Sequence, residues 1–516
     1  MTTVAAGRLG GGTATADHPA VVMATSGAVL TYGGLRDRAD RLAHALLGLG
    51  LVPGDVIAIL LENRPEYFEA AWAGRRAGLY YVPINTHFTV DEVAYLLADS
   101  GARVLVTSEA LAHLAPPDTT RTSLEHVLVL GDDYEALLAA QPPGEVEAPV
   151  PGAEMFYSSG TTGRPKGIRR PLEVPSPSHP HSMSMRNAVD LYGEDAHTVY
   201  LLPAPLYHAA PLVGSLTVQQ LGGTVVVMER FDAAEVLRLI ETHRITHGQF
   251  VPTMFVRLLR LPEEERRRFD HSSLRSAVHA AAPCPVHVKQ AMMDWWGPII
   301  HEYYNSTEAV GGTRIGPEEW LAHPGSVGRA GPELHVLDDK GQEVGRGTIG
   351  TVYFEGGSNF AYHNDPEKTA GSTSPQGWRT VGDMGYVDEA GYLFLTDRAT
   401  FMIVSGGVNI YPQEIEATLI RHPDVMDVAV FGVPNEEFGE EVKAVVQPLG
   451  GPGRRDEAAL TAELDSLCHS RLASYKCPRS FEYRDELPRD PNGKLYKRPL
   501  RDAYWPSRQV GAPLAP

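Results

Sequence analysis

YSSGTTGRPKGI, residues 157–168, is the stretch on which the reading of the whole chain turns. Its twelve residues hold three glycines, four serine or threonine hydroxyls and one lysine. Gly160, Gly163 and Gly167 let the backbone turn through positive φ and come close to a ligand. Successive backbone N–H groups flanked by Ser158, Ser159, Thr161 and Thr162 form a concavity suited to phosphate oxygens. The stretch is not a Walker loop, which needs four residues between its first glycine and a Gly-Lys-Ser/Thr. Here Gly163-Arg164-Pro165-Lys166 runs into Gly167, with Pro165 stiffening the turn. The competing reading is a flexible surface turn; the ordered mix of glycine, hydroxyl and lysine favours a polyphosphate cradle.

Composition bounds the rest. A chain of 516 residues is too long for one ordinary core, so two or three domains are expected. A hydrophobic fraction of 43% is that of a folded globular protein. The formal net charge of −19 disfavours nucleic acid as a partner, because phosphate backbones want a basic face. Cys284, Cys468 and Cys477 have neither disulfide nor zinc spacing, which suits a reducing compartment. The first residues lack a signal pattern and no window approaches a membrane span, so a soluble cytoplasmic protein is expected.

Periodicity supplies the architecture. Apolar residues from Leu35 to Leu47 recur at helical spacing and stop at Gly48, Gly50 and Pro53. Buried strands are predicted at 56–61, 80–84 and 103–107, with helices at 65–78 and from Thr89, where Glu92 completes a capping box. The first twenty residues read as a loose end, and 171–181, broken by prolines, as irregular. A strand at 198–202 runs into PAPLYHAAPL, and further strands and a helix follow at 224–228 and 233–243. Strand ends at 278–283 and 299–304 are placed to deliver residues to a site, as in open α/β sheets. From Gly325 short alternating strands indicate a β-rich subdomain, and from Asp397 a separate α+β unit. The predicted fold class is therefore α/β: layered, mostly parallel sheets plus a β-rich subdomain over 1–396, then a small unit over 397–516.

Four stretches belong with the glycine loop. EYYNSTEA (302–309) combines aromatics, hydroxyls and an acid, and GWRTVGDMG (377–385) presents Asp383 at a glycine-flanked turn. TDRATFMIVSGGVNIYPQEIE (396–416) opens with Asp397 and Arg398, and PRDPNGKLYKRPLR (488–501) presents Lys494 after Asn492-Gly493. Each alone is a turn or a solvated charge; in this order they are specific. With them the chain resembles the adenylate-forming superfamily of acyl-CoA synthetases, luciferases and nonribosomal adenylation domains, over about 31–501. GVPNEEFGEEVKAVV (432–446) and LPRDPNGKLYKRPLR (487–501) bring it nearest to bacterial fatty-acid-CoA ligases.

The resemblance implies a large N-terminal domain and a small mobile C-terminal one that rotates between two half-reactions. It also implies ATP, Mg²⁺ and, as co-substrate, CoA. Ser158, Ser159, Gly160, Thr161, Thr162, Gly163 and Lys166 would hold the β- and γ-phosphates. Thr307 would touch the α-phosphate and Glu308 would orient Mg²⁺. Tyr304 would stack on adenine, lined by Ala281 and Ala282. Asp383 would accept the ribose hydroxyls, Arg398 would donate to the ribose, and Lys494 would bridge carboxylate and α-phosphate. His208 reads either as a structural histidine or as a border of the acyl pocket, and Asn305 as part of that pocket. His179, His181, Arg164 and Arg186 read as surface residues.

The hinge departs from the family pattern: Thr400 and Phe401 stand where Asp or Lys, commonly followed by Asp, is usual. The polar start of NSTEAVGG (305–312) leans toward a small or aromatic acid over a long alkyl chain. Three functions are weighed. The first is an ATP-dependent acid:CoA ligase forming acyl-AMP with release of pyrophosphate. The second is an ATP-dependent diazotase that activates nitrite for an aromatic amine in natural-product biosynthesis, for which the CoA step is dispensable. The third is a nucleotide-binding scaffold without catalysis, against which Lys494, Glu308 and Asp383 count.

Overall fold

The computed structural model describes residues 9–505 apart from 11–13, 119, 121, 147, 149, 159–164, 173–182, 357–360, 399–400, 407 and 490–494. Two sheets dominate the first part. One has five parallel strands in the order His126–Val129, Ala102–Thr107, Val56–Leu60, Tyr80–Pro83, Ala153–Glu154. The other has eight, running from Gly312–Ile315 at one edge through Ile300–Asn305, Ser276–His279, His247–Phe250, Val199–Leu202, Thr224–Val227 and Pro19–Met23 to Val29–Thr31. Its interior pairs are parallel and its two outermost pairs antiparallel. The strand Val56–Leu60 is buried at every position, as a sheet covered on both faces requires.

Helices Tyr32–Gly48, Pro65–Arg76 and Ala209–Leu221 share one core with side chains of both sheets, including Ile57, Ile59, Val225 and Val227. The opposite face of the eight-stranded sheet packs Leu201, Val226, Phe250, Phe255 and Trp296. The alternation follows from the two-residue repeat of a strand, which sends neighbouring side chains to opposite faces. Thr89 and Glu92 make both hydrogen bonds of a capping box at the head of helix Val90–Ser100.

The β-rich part is a five-stranded antiparallel sheet, Gly328–Arg329, Tyr392–Arg398, Asp383–Val387, Gly350–Phe354, Leu334–Leu337. The glycine stretch joins two arms of a hairpin: Phe156–Ser158 pairs antiparallel with Lys166–Arg169, which pairs in turn with Ala361–Tyr362. The C-terminal part sets helices Pro412–Leu419 and Glu457–Arg471 beside a sheet built on the long hairpin Val425–Asn435 and Gly439–Pro448, with its own core. No helix among the described residues is long and apolar enough to cross a membrane.

One expectation changes and one element is added. The first twenty residues, expected to be a loose end, run at Pro19 and Ala20 into the strand Pro19–Met23, which pairs with Val225–Val227. A short apolar run far from its partner in sequence carries no local signal of pairing. The segment after PAPLYH forms the helix Ala209–Leu221, whose Pro211 lies in the first turn, where a missing N–H breaks no intrahelical bond.

Burial also sets an acid dependence. His247 and His279 are held below the ordinary histidine value by burial, and His287 and His301 are pushed down to about 4 by the same cause. As pH falls below the unfolded value of about 6.5, the unfolded chain takes up protons on these rings that the folded chain refuses, so stability falls. Glu194, pushed up to about 8 by burial, has the opposite slope, since its stabilising proton is lost as pH rises. The histidines outnumber it. Scanning calorimetry at about pH 7 and about pH 5 is expected to show a lower unfolding temperature at the acid value; an equal or higher one would refute this account.

Candidate active site

The strand Ile300–Asn305 and the turn after it gather the candidate residues. The Tyr304 hydroxyl donates to Asp383 Oδ2 at 2.8 Å, and Asp383 is buried at 9% exposure. Asp383 begins the strand Asp383–Val387, in register with Arg398 on Tyr392–Arg398. Glu308 is buried at 7% exposure and accepts from the Tyr362 hydroxyl at 2.9 Å. Tyr362 lies on the strand paired with the exit arm of the glycine hairpin. From that arm's end, Arg170 Nη2 donates to the Thr307 carbonyl at 2.9 Å. Tyr362 and Arg170 thus tie Thr307 and Glu308 to the hairpin, although nearly 140 residues separate them in sequence. Gly311, at φ +152°, lies between that turn and the strand Gly312–Ile315 and lets the backbone pass close to Phe354, whose ring an added Cβ would meet at 2.3 Å.

Lys166 is ion-paired with Asp365, which also caps the helix Pro366–Gly371. The Lys166 ammonium holds the Asp365 carboxyl below the usual carboxylate range. Asp365 was not singled out from the sequence; an Asp-Pro step reads there only as a helix start. Ala281 follows the strand Ser276–His279 and takes φ +73°, a left-handed conformation that strains an alanine. Ala282 continues that bend. His208 precedes the helix Ala209–Leu221 with its ring 4.6 Å from that of Tyr207. Asn305 is exposed and its Oδ1 accepts from the Ser306 N–H at 2.8 Å. Arg186 is exposed, as expected. Ser159, Gly160, Thr161, Thr162, Gly163, Arg164, His179, His181, Thr400 and Lys494 lie outside the described residues, as do the side chains of Ser158 and Arg398.

Beneath these residues lies an ion cluster that sequence reasoning missed. Glu302, grouped at first with the motif at 302–309, is buried and accepts from Lys289 Nζ at 2.7 Å. Lys289 is wholly buried, with its ammonium 4.8 Å from the Trp320 ring centre. His279 Nε2 lies 3.3 Å from the same carboxylate. Burial drives Glu302 up, but His279 and Lys289 overcome it and hold the carboxyl down at about 2. The cluster joins the strand leading into Ala281 to the strand carrying Tyr304. A signal was present: Lys289, Met292, Met293 and Trp296 form one stripe of helix Val286–Trp296, placing a lysine at a core position.

The AMP-binding enzyme family profile matches residues 12–361, and that of the AMP-binding enzyme C-terminal domain matches 414–494. The chain is 32% identical to the fatty acid–[acyl-carrier-protein] ligase ScoC of Streptomyces coeruleorubidus, covering 94% of this chain and 93% of that one. It is 35% identical to a feruloyl-CoA synthase of an Amycolatopsis species, covering 93% and 94%. The crystal structure of the anthranilate CoA ligase AuaEII in complex with anthranoyl-AMP superposes with a TM-score of 0.82, at 26% identity over 95% of this chain and 94% of that one.

Proposed function

This chain belongs to the AMP-binding enzyme family and is an AMP-forming, acid:CoA ligase-like enzyme, and on that premise we propose the reaction it performs. It activates a carboxylic acid, small or aromatic rather than long alkyl, as acyl-AMP and then passes the acyl group to CoA. The observation that carries this reading is the joining of Tyr304–Asp383 and Tyr362–Glu308 around the end of one strand, beside the hairpin of the glycine loop.

In the first half-reaction a carboxylate oxygen forms a bond to the α-phosphorus as the bond to the β-phosphate oxygen breaks. An anion must approach a polyanion, so the barrier is one of charge, lowered by dipoles and cations fixed in advance. Ser158, Ser159, Gly160, Thr161, Thr162 and Gly163 cradle the β- and γ-phosphates, and Lys166 exchanges Asp365 for them. Thr307 faces the α-phosphate. Tyr304, Ala281 and Ala282 hold adenine, while Asp383 and Arg398 hold the ribose. Lys494 steers the carboxylate to the α-phosphate as a point charge. Glu308 offers one hard carboxylate, which with phosphate oxygens and water suits Mg²⁺; bound there, the ion would neutralise charge on the departing pyrophosphate. His208 and Asn305 border the acyl pocket. The unit over 397–516 turns against 1–396 to admit the CoA thiol to the acyl carbonyl, with release of AMP.

The test is ATP–pyrophosphate exchange across carboxylic acids, with nitrite plus an aminobenzoate as a separate arm, followed by AMP release with and without CoA. Acid-dependent exchange and CoA-dependent thioester are expected; turnover in the nitrite arm alone would replace the acid ligase by a diazotase. Asp383→Ala is expected to raise the KM for ATP by about tenfold or more through loss of charged hydrogen bonds to the ribose. An unchanged KM for ATP would remove Asp383 from the nucleotide site.

A further inference from the structure

Tyr200, Gln249 and Tyr303 stand on three strands of the eight-stranded sheet and on one face of it. Tyr200 lies level with His247, Gln249 with Val278, and Val278 with His301, two residues before Tyr303. Residues level in a parallel sheet, and residues two apart on a strand, share a face. Their polar atoms form a relay: the Tyr200 hydroxyl meets Gln249 Oε1 at 3.2 Å, and Gln249 Nε2 donates to the Tyr303 hydroxyl oxygen at 2.7 Å.

One end of the relay is closed and the other is not. Tyr200 is buried at 3% exposure, and Gly214 of the helix Ala209–Leu221 lies on it. A Cβ on Gly214 would meet the Tyr200 hydroxyl at 2.9 Å and Gln249 Oε1 at 3.3 Å. Gln249 and Tyr303 are half-buried, although both stand on interior strands of a sheet covered by helices. The direction of the relay follows from the closed end. The hydrogen of the Tyr200 hydroxyl has Gln249 Oε1 as its one acceptor among the described residues, so the amide N–H faces Tyr303. Tyr303 therefore accepts, and among the described residues its own O–H hydrogen has no acceptor. Burial pushes this phenol up to about 12, so it remains a donor.

Tyr303 and Tyr304 point to opposite faces of the strand, and Tyr304 is committed to Asp383 on the side read above as the nucleotide side. Resting on that reading, we infer that the Tyr303 hydroxyl donates a hydrogen bond to an oxygen of the activated acid other than its carboxylate. The substrate is then an oxygenated acid, bearing a hydroxyl, methoxy or keto oxygen on a small or aromatic frame, and not a plain hydrocarbon acid. A site built to hydrogen-bond a substrate group discriminates strongly against the analogue lacking it.

The experiment measures kcat/KM for ATP–pyrophosphate exchange with matched pairs: benzoate against the hydroxybenzoates and methoxybenzoates, and hexanoate against an oxohexanoate. The wild-type enzyme is expected to favour the oxygenated member of at least one pair by about tenfold or more. Tyr303→Phe is expected to cut that ratio about tenfold, and Gln249→Leu, which releases Tyr303 from its relay, to cut it in the same direction. An unchanged unfolding temperature shows that each variant is folded. Preference for the hydrocarbon members, or an equal loss on both members in Tyr303→Phe, overturns the inference while leaving acid adenylation intact. Absence of exchange with every acid overturns the adenylation reading itself, and this inference with it.

Discussion

Replacing Lys494 with alanine is expected to lower acid-dependent pyrophosphate exchange by about 10³-fold, while thioester formation from a pre-made acyl-adenylate falls by less than about tenfold. The cause is electrostatic. Two anions meet in the first half-reaction, and a single ammonium placed between them both orients the attack and offsets the charge gathering on the α-phosphate. In the second half-reaction a neutral acyl carbonyl meets a thiol, and AMP departs already formed, so the same ammonium has little left to do. Lys494→Arg tests position against charge, since a planar guanidinium cannot occupy the place of a compact ammonium. Its exchange rate should stay far below that of the wild type. Equal losses in both half-reactions would show that Lys494 serves general binding and not the chemistry of adenylation.

Glu302→Ala should destabilise the protein by about 3–5 kcal/mol, a consequence of leaving a buried charge without its partner. Lys289 is wholly buried, and with Glu302 gone its ammonium loses its carboxylate partner while the Trp320 face stays at 4.8 Å. The pair as a whole is not expected to add much stability, because desolvating two ions offsets most of their attraction. Glu302→Leu combined with Lys289→Met should therefore recover most of what the single change loses. Denaturant unfolding followed by tryptophan fluorescence is suited to this, since Trp320 lies against Lys289 and shares a core with Trp295 and Trp296. A single-variant loss below about 1 kcal/mol, or a double variant no more stable than the single, would contradict the account. The cluster joins the strand before Ala281 to the strand carrying Tyr304, so the single variant should also bind ATP less tightly.

Much of the architecture was legible because its signals are local. The capping box of Thr89 and Glu92 and the helix Ala233–His243 follow from patterns contained within the elements themselves. What escaped depends on distant partners. Pro19–Met23 is a strand because Val225–Val227 offers it an edge. Asp365 matters because the hairpin delivers Lys166 to it from 199 residues away. Glu302 looked like one more acid of the motif at 302–309, and only the packing of helix Val286–Trp296 against its strand turned it into a buried ion.

The linear chain by itself determined the reaction class. Glycines, hydroxyls and a lysine at 157–168, with acids and cations in a set order downstream, are residue types that adenylate chemistry demands, and residue type is written in sequence. Which of the described downstream residues meet was decided by tertiary structure. Tyr304 reaches Asp383 across 79 residues and Glu308 reaches Tyr362 across 54, contacts made by sheet pairing and packing for which no local pattern exists. The same holds for the Tyr200–Gln249–Tyr303 relay, three ordinary polar residues until the sheet sets them on one face and Gly214 closes one end. A hydrogen bond depends on a few tenths of an ångström and on direction, and those are settled only when the chain is folded.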